Sequence, residues 1–243
     1  LRDAHPILSC AETKAVEARL FGGDAEKEWA AMQRAGRAVA DSVARDFREL
    51  GRFPREGRIL VLVGKGHNGG DALIAALLLL KRFRYAVAEV VFVFGVKALK
   101  PLALRAWQDF QHESDGRVTP ISRDKIHGDY AVCLDGIFGF QFRAPLADEA
   151  RAVLAAVNES EILLRAAVDM PSGLDEDGAF RADFTYATGV VKRPLLELKN
   201  AGRLRYLDLG FFEDEKETSS NDLVLTESIL DPLRGWRDPQ TDK

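Results

Sequence analysis

Residues 60–80 read LVLVGKGHNGGDALIAALLLL, and this stretch decides the fold. Residues 59–63 are an unbroken aliphatic run, the pattern of a short strand buried on both faces. Gly64, Gly66 and Gly69 follow in G-x-G-x-x-G spacing, and an apolar run then continues to Leu80. The pattern predicts a strand over 59–63, a glycine turn, and a helix over 70–83.

Working outward, the same alternation repeats. Before the turn, Ser9 and Glu12 form a capping-box pattern that opens a first helix to about Phe21, and Gly22-Gly23 breaks it. A second helix follows, with Trp29, Met32, Val39, Val43 and Phe47 on one stripe that packing alone explains, and 51–57 is a loop. After the turn, strands are expected over 87–94, 117–121, 130–134, 162–168, 184–188 and 204–209. Helices are expected over 101–111, with Pro101 in the first turn, and over 147–157. Strands alternating with helices need crossover connections. The expected fold is therefore α/β: a Rossmann-like three-layer sandwich, a mainly parallel sheet with helices on both faces. No internal repeat is visible. Residues 1–212 read as this domain. Residues 213–243 read as a charged, then small-polar linker and a tail, in which Leu223-Val224-Leu225 is apolar and Thr226 caps a short helix to about Leu233.

Composition bounds the function. The chain has 243 residues, 47% hydrophobic and 30% charged, enough for a sizeable core. A net charge of −4 without a basic block argues against a nucleic-acid footprint. The longest apolar run, 73–80, is too short to span a bilayer. Only Cys10 and Cys133 occur, and no two of the four histidines stand in metal-ligand spacing, which fits a reducing, cytoplasmic setting. The first residue is Leu1 rather than Met, so we expect residues upstream of it, a removed targeting segment among the options.

Ligands of open α/β sheets sit at the C-terminal ends of strands. Three polar clusters fall there: 64–71, 135–143 and 169–175. A phosphate-loop reading of the first fails, because Gly70-Asp71 stands where Lys-Ser/Thr is needed. A dinucleotide-fingerprint reading fails too: the next strand ends Phe94-Gly95-Val96, without the ribose-binding acid. Asp71, expected at the helix start, has a bland alternative as a cap, and Asp135 has one as an Asx turn.

The three clusters in this order resemble the YjeF N-terminal domain family of NAD(P)H-hydrate epimerases. Gly64-Lys65-Gly66-His67-Asn68-Gly69-Gly70-Asp71 matches its G-x-G-N-N-G-G-D, Asp135-Gly136-Ile137-Phe138-Gly139 its D-A-L/I-F-G, and Asp169-Met170-Pro171-Ser172-Gly173 its D-I-P-S-G. Met32-Gln33-Arg34-Ala35-Gly36 is similar to its M-E-R-A-G segment, and Lys192 stands where the family has a lysine. The resemblance covers about 7–212. There are departures: His67 replaces an Asn, Ala72 a frequent Gly, and Phe140-Gln141-Phe142 the commoner T-G-L.

The resemblance implies a substrate, NADHX or NADPHX, in which water has added to the nicotinamide ring. Inverting the hydroxylated carbon needs a proton donor and acceptor and negative charge near a cation. Asp169 is the candidate catalytic group, with Lys192 either orienting it or contacting a phosphate; ring opening is an alternative route. The substrate-binding set is His67, Asn68, Gly69, Gly70, Asp71, Gly139, Phe140, Gln141, Phe142, Arg143 and Asp169, with Arg143 open to a phosphate or to solvent. A bound potassium ion is implied on Asn68, Asp135 and Ser172, all oxygen donors suited to a hard cation. A homodimer is implied. So is a fused ADP- or ATP-dependent NAD(P)H-hydrate dehydratase beyond Lys243, because 233–237 and 241–243 are similar to the entry of that domain. Two competing readings are a non-catalytic protein- or RNA-binding module of the same fold and an ordinary nicotinamide dehydrogenase.

Overall fold

A computed structural model describes residues 3–213 and 220–231. Along the chain come β1 (Ala4–Leu8), α1 (Cys10–Phe21), α2 (Ala25–Leu50), β2 (Arg58–Val63), α3 (His67–Arg82), β3 (Val87–Phe92), α4 (Pro101–Glu113), β4 (Val118–Pro120) and β5 (Tyr130–Gly136). There follow α5 (Asp148–Glu159), β6 (Ile162–Val168), β7 (Phe184–Thr188), β8 (Val191–Lys192), β9 (Arg203–Leu207) and β10 (Leu223–Leu225). The helix boundaries have local causes. Ser9 and Glu12 complete the capping box of α1, which ends at Gly22 with φ 60°. Asp24 accepts from the amides of Glu26 and Lys27 to start α2. Pro101 occupies the first turn of α4.

Seven strands form one sheet in the order β4-β3-β2-β5-β6-β7-β9, every pair parallel. Alternate residues of each strand point to opposite faces. Ile59, Val61 and Val63 of β2 pack with α2, α3 and α4 through Met32, Val43, Leu73 and Phe110. Leu60 and Leu62 point the other way and pack with Val153, Leu154 and Val157 of α5. This is the expected three-layer sandwich. The expected stripe on α2 is buried throughout, from Trp29 to Phe47.

The differences lie at the edges of elements and in one small sheet. The helix after the glycine turn begins at His67, three residues earlier than expected. The strand expected over 117–121 is three residues long, 118–120. Strands β1 and β8 were not expected; with β10 they form a second sheet, β10-β1-β8. His and Pro inside Ala-His-Pro-Ile-Leu hide β1 from any hydrophobic pattern, and two residues are too few to read as β8. The apolar segment 223–225 pairs antiparallel with β1, and the Ile7 amide donates to the Asp222 carbonyl at 2.9 Å. The short helix after Thr226 is a 3-10 turn, Glu227–Leu230. Residues 214–219, most of the expected linker, and 232–243, with the 233–237 and 241–243 segments, lie outside the described residues. Among the described residues no helix is long and apolar enough to cross a membrane.

Candidate active site

The strand order reverses between β2 and β5, so the chain leaves these neighbours in opposite directions and opens a crevice at their C-terminal ends. The two loops that follow touch closely. The Gly64 amide donates to the Gly136 carbonyl at 3.1 Å. A Cβ on Gly64 would lie 1.8 Å from the Ile137 carbonyl oxygen, so only glycine fits there. A cavity of about 400 Å³ sits over this junction, walled by the segments after β2, β3, β5 and β6, by the end of β7 and by α1.

Asp169 ends β6 and turns inward with φ 68°, a left-handed conformation uncommon outside glycine. Its carboxylate is fully engaged. The Phe140 amide donates to Oδ2 at 3.0 Å, and the Thr188 hydroxyl donates to Oδ1 at 3.2 Å. Lys192 Nζ also bonds Oδ1, and donates to the Thr188 carbonyl at 3.1 Å. Lys192 is 1% exposed, held in place by the pairing of β8 with β1. A Cβ on Gly139 would come 2.8 Å from Asp169 Oδ2, so this glycine lets the loop after β5 close on the carboxylate.

Asp71 faces the same cavity from one turn inside α3. The helix cap is Gly66, which offers no side chain, so the cap reading of Asp71 and its placement at the helix start are both corrected. Burial pushes the Asp71 carboxyl well above the usual carboxylate range, and the charges of Asp169 and Glu17 push it further.

Asp135 lies behind the cavity wall, fully buried. It accepts from the Ser172 amide and hydroxyl, both at 2.7 Å, and from the Ile137 amide at 3.2 Å. Burial raises its pKa to about 6, and the bonds from Ser172 hold it from rising further. The Ser172 oxygen accepts from the Phe138 amide at 3.0 Å, and Asn68 Nδ2 donates to the Phe138 carbonyl at 2.8 Å. Phe138 thus links the Asn68, Asp135 and Ser172 set into one knot. Among the described residues no group of three or more His, Cys, Asp or Glu side chains could hold a metal.

The remaining expected residues divide. His67, Asn68, Gly139, Phe140, Gln141 and Phe142 line the cavity. His67 stands beside Glu28 at 3.4 Å, and burial lowers its pKa. Gly69 and Gly70 do not line it: a Cβ on Gly69 would meet the Gly64 carbonyl oxygen at 2.6 Å, and one on Gly70 the Met32 sulfur at 2.5 Å. Their role is close packing. Arg143 is exposed, donates to the Phe142 carbonyl at 3.0 Å, and stands outside the wall. The cations that do line the cavity are Lys65 and Lys100, which were not expected. Lys65 Nζ lies 4.3 Å from the Phe94 ring centroid. Phe94, Phe138 and Phe142 form an aromatic wall with successive ring centroids 5.9 and 5.1 Å apart. Thr188 was also missed, although it ends a strand just as the aspartates do. Glu17 was missed as well; its one signal was an acid on the face of α1 that buries Thr13.

Known proteins share this pattern. A protein 37% identical over 218 residues is the bifunctional NAD(P)H-hydrate repair enzyme Nnr of Gloeobacter violaceus; the match covers 85% of this chain and 40% of that protein. An NAD(P)H-hydrate epimerase of Bordetella bronchiseptica is 40% identical over 145 residues, 60% of this chain and 58% of its own. The chain thus spans less than two thirds of the length of each of these relatives. The crystal structure of the yeast protein ynu0 superposes with a TM-score of 0.66 at 17% identity over 91% of this chain and 100% of its own, which speaks for the fold alone. Residues 29–193 match the family model described as YjeF-related protein N-terminus, a span that holds all three strand-end clusters and Lys192. The chain belongs to that family.

Proposed function

We propose that the chain is an NAD(P)H-hydrate epimerase, an isomerase that interconverts the R and S forms of NADHX and NADPHX. The observation that carries this reading is the pairing of two unlike carboxyls in one cavity. Asp169 is gripped by the Lys192 ammonium, a hydroxyl and an amide, whereas burial and its neighbours' charges favour the protonated form of Asp71. Two carboxyls in such unlike surroundings let one site offer both an acid and a base.

The chemistry follows from the substrate. The ring nitrogen expels the neighbouring hydroxyl once that oxygen is protonated, leaving a planar cation that water can attack from either face. Asp169 stabilises the cation and exchanges the proton. Lys192 orients Asp169; its burial and its bond to the Thr188 carbonyl support that role over a phosphate contact. The N-terminus of α3, with no side chain capping it, offers free amides to a diphosphate, and Lys65 and Lys100 add positive charge. The aromatic wall suits the flat bases.

Asn68, Asp135 and Ser172 would hold a potassium ion. The fit rests on Asp135: a fully buried carboxylate whose hydrogen-bond donors are all neutral, with the Ser172 hydroxyl oxygen 2.7 Å away. The ion would neutralise that charge and pin three loops together. The bifunctional name of the Gloeobacter relative supports a setting in which a second repair activity accompanies this one. The test is direct: the purified chain is mixed with one resolved epimer and the approach to the mixture is followed by chromatography. Acceleration over the spontaneous rate is expected, and its absence in the folded chain rejects the reading.

A further inference from the structure

The cavity has a third carboxyl that the family pattern does not draw on. Glu17 projects from α1, outside the matched span of 29–193, and lines the main cavity with Asp71 and Asp169. It also lines a smaller adjoining cavity of about 60 Å³, again with Asp71 and with Thr188, His67 and Glu28. It therefore stands where the two spaces meet, on a different element from either aspartate. A glutamate in such a place ordinarily finds an arginine, a lysine or a hydrogen-bond donor. Among the described residues nothing donates to it; its surroundings are the Lys192 ammonium and the like charges of Asp169 and Glu28. Asp71 feels both Asp169 and Glu17, so the charges of the three carboxyls act on one another.

Epimerisation has a need that one carboxylate meets poorly. The hydroxyl leaves one face of the ring and water returns to the other. A single group must serve both faces; two groups can take one each.

We propose that Glu17 is the second proton-transfer group of this cavity, serving the ring face turned away from Asp169, and that Asp71 passes protons between the two. The proposal rests on the epimerase reading. From one epimer, Glu17 gives its proton to the hydroxyl; the C–O bond breaks, water departs, and the ring nitrogen supplies the electron pair. A water then bonds to the same carbon on the other face, the nitrogen regains its pair, and Asp169 takes the proton the water loses. The substrate keeps its composition, and one proton has moved from Glu17 to Asp169. Asp71 returns it. From the other epimer the steps run in reverse.

Both directions use the same number of protons in the cluster, so they share one pH profile. Burial first, then Asp169 and Glu28, raise the Glu17 pKa to about 7, against the opposing effect of Lys192. The groups that face it are Asp71, Asp169, Lys192 and Glu28, the last with His67 beside it. Above this range the cluster loses the shared proton, so turnover falls as pH rises through about 7, as a property of the group rather than of one residue.

The test uses the whole 243-residue chain, with Glu17→Gln and Glu17→Asp, on both resolved epimers. Glu17→Gln is expected to lower kcat by about a hundredfold, the lower end for a lost acid–base group, with KM changed by less than about threefold, and to abolish the alkaline limb near pH 7. Glu17→Asp should recover about a tenth of the lost rate and restore the limb. Thermal melting checks that both variants fold. An active wild type with an equally active Glu17→Gln, or a variant that keeps the limb, overturns the role of Glu17 and leaves the epimerase reading standing. A folded wild type that interconverts nothing overturns both.

Discussion

The two ends of the parallel sheet treat charge in opposite ways. At the N-terminal end, Arg58 Nη2 donates to both oxygens of Glu89 at 2.8 and 2.9 Å, the Tyr130 hydroxyl donates to the same carboxylate at 2.7 Å, and the guanidinium lies 4.4 Å from the Tyr130 ring centroid. Under α2, Asp46 is likewise held by Arg205 at 3.0 Å and by the Tyr186 hydroxyl at 3.1 Å. Each of these carboxylates has an arginine and a phenol. At the C-terminal end, Asp71 has no cation bonded to it among the described residues and Asp135 has only neutral donors, while Asp169 is engaged by a lysine, a hydroxyl and an amide at the cavity itself. Fully paired carboxylates hold the sheet together. Incompletely paired ones are costly to bury and earn their place only by meeting a substrate or an ion.

This contrast can be broken by substitution at each end. The largest effect is expected at Asp169→Asn: interconversion of the epimers falls at least about a hundredfold in a chain that still folds. Unchanged turnover would sink the role given to this residue. Arg205→Ala should do the reverse. Removing the partner of buried Asp46 costs about 2 kcal/mol, fewer than for a fully buried pair because Arg205 is itself partly exposed. Urea unfolding measures the loss, and activity per folded molecule should match the wild type; a large drop in that activity would show that this pair and the cavity are not separable.

A smaller effect is expected from potassium. A ten-fold excess over its dissociation constant stabilises the fold by about 1.4 kcal/mol through mass action, visible as a rise in melting temperature. Asp135→Ala should abolish it, and identical curves in potassium, sodium and choline salts would remove the cation from the account. The smallest is Glu89→Gln, which keeps the Tyr130 bond and weakens the Arg58 pair by about 1 kcal/mol without touching turnover. A loss of several kcal/mol there would mean that the N-terminal end is far less solvent-screened than its partly exposed side chains indicate.

Much of this was legible because parallel strands are buried on both faces and write themselves as unbroken apolar runs, as in 59–63 and 130–134. Asp135 and Asp169 were legible because each stands at the end of such a strand. Less legible was everything made by distant pairing. Strand β1 carries His and Pro, β8 is two residues long, and only their contact makes either a strand. The start of α3 was misplaced because His67 to Gly70 are poor helix formers that the crevice nevertheless holds in helical form. That shift carries Asp71 from the helix end into the cavity. Lys65 and Lys100 line the cavity while Arg143 does not, a distinction that depends on loop geometry. Glu17 was overlooked because a single acid on a helix ordinarily faces water.

The central claim is that the hydrated ring lies against Asp169 in this cavity. A crystal structure of the chain with bound NADHX tests it most directly. The diphosphate is expected at the N-terminus of α3 and the ring hydroxyl within about 3.2 Å of an Asp169 oxygen. A dinucleotide seated elsewhere, or one that places its adenine in the cavity and its nicotinamide in solvent, would contradict it.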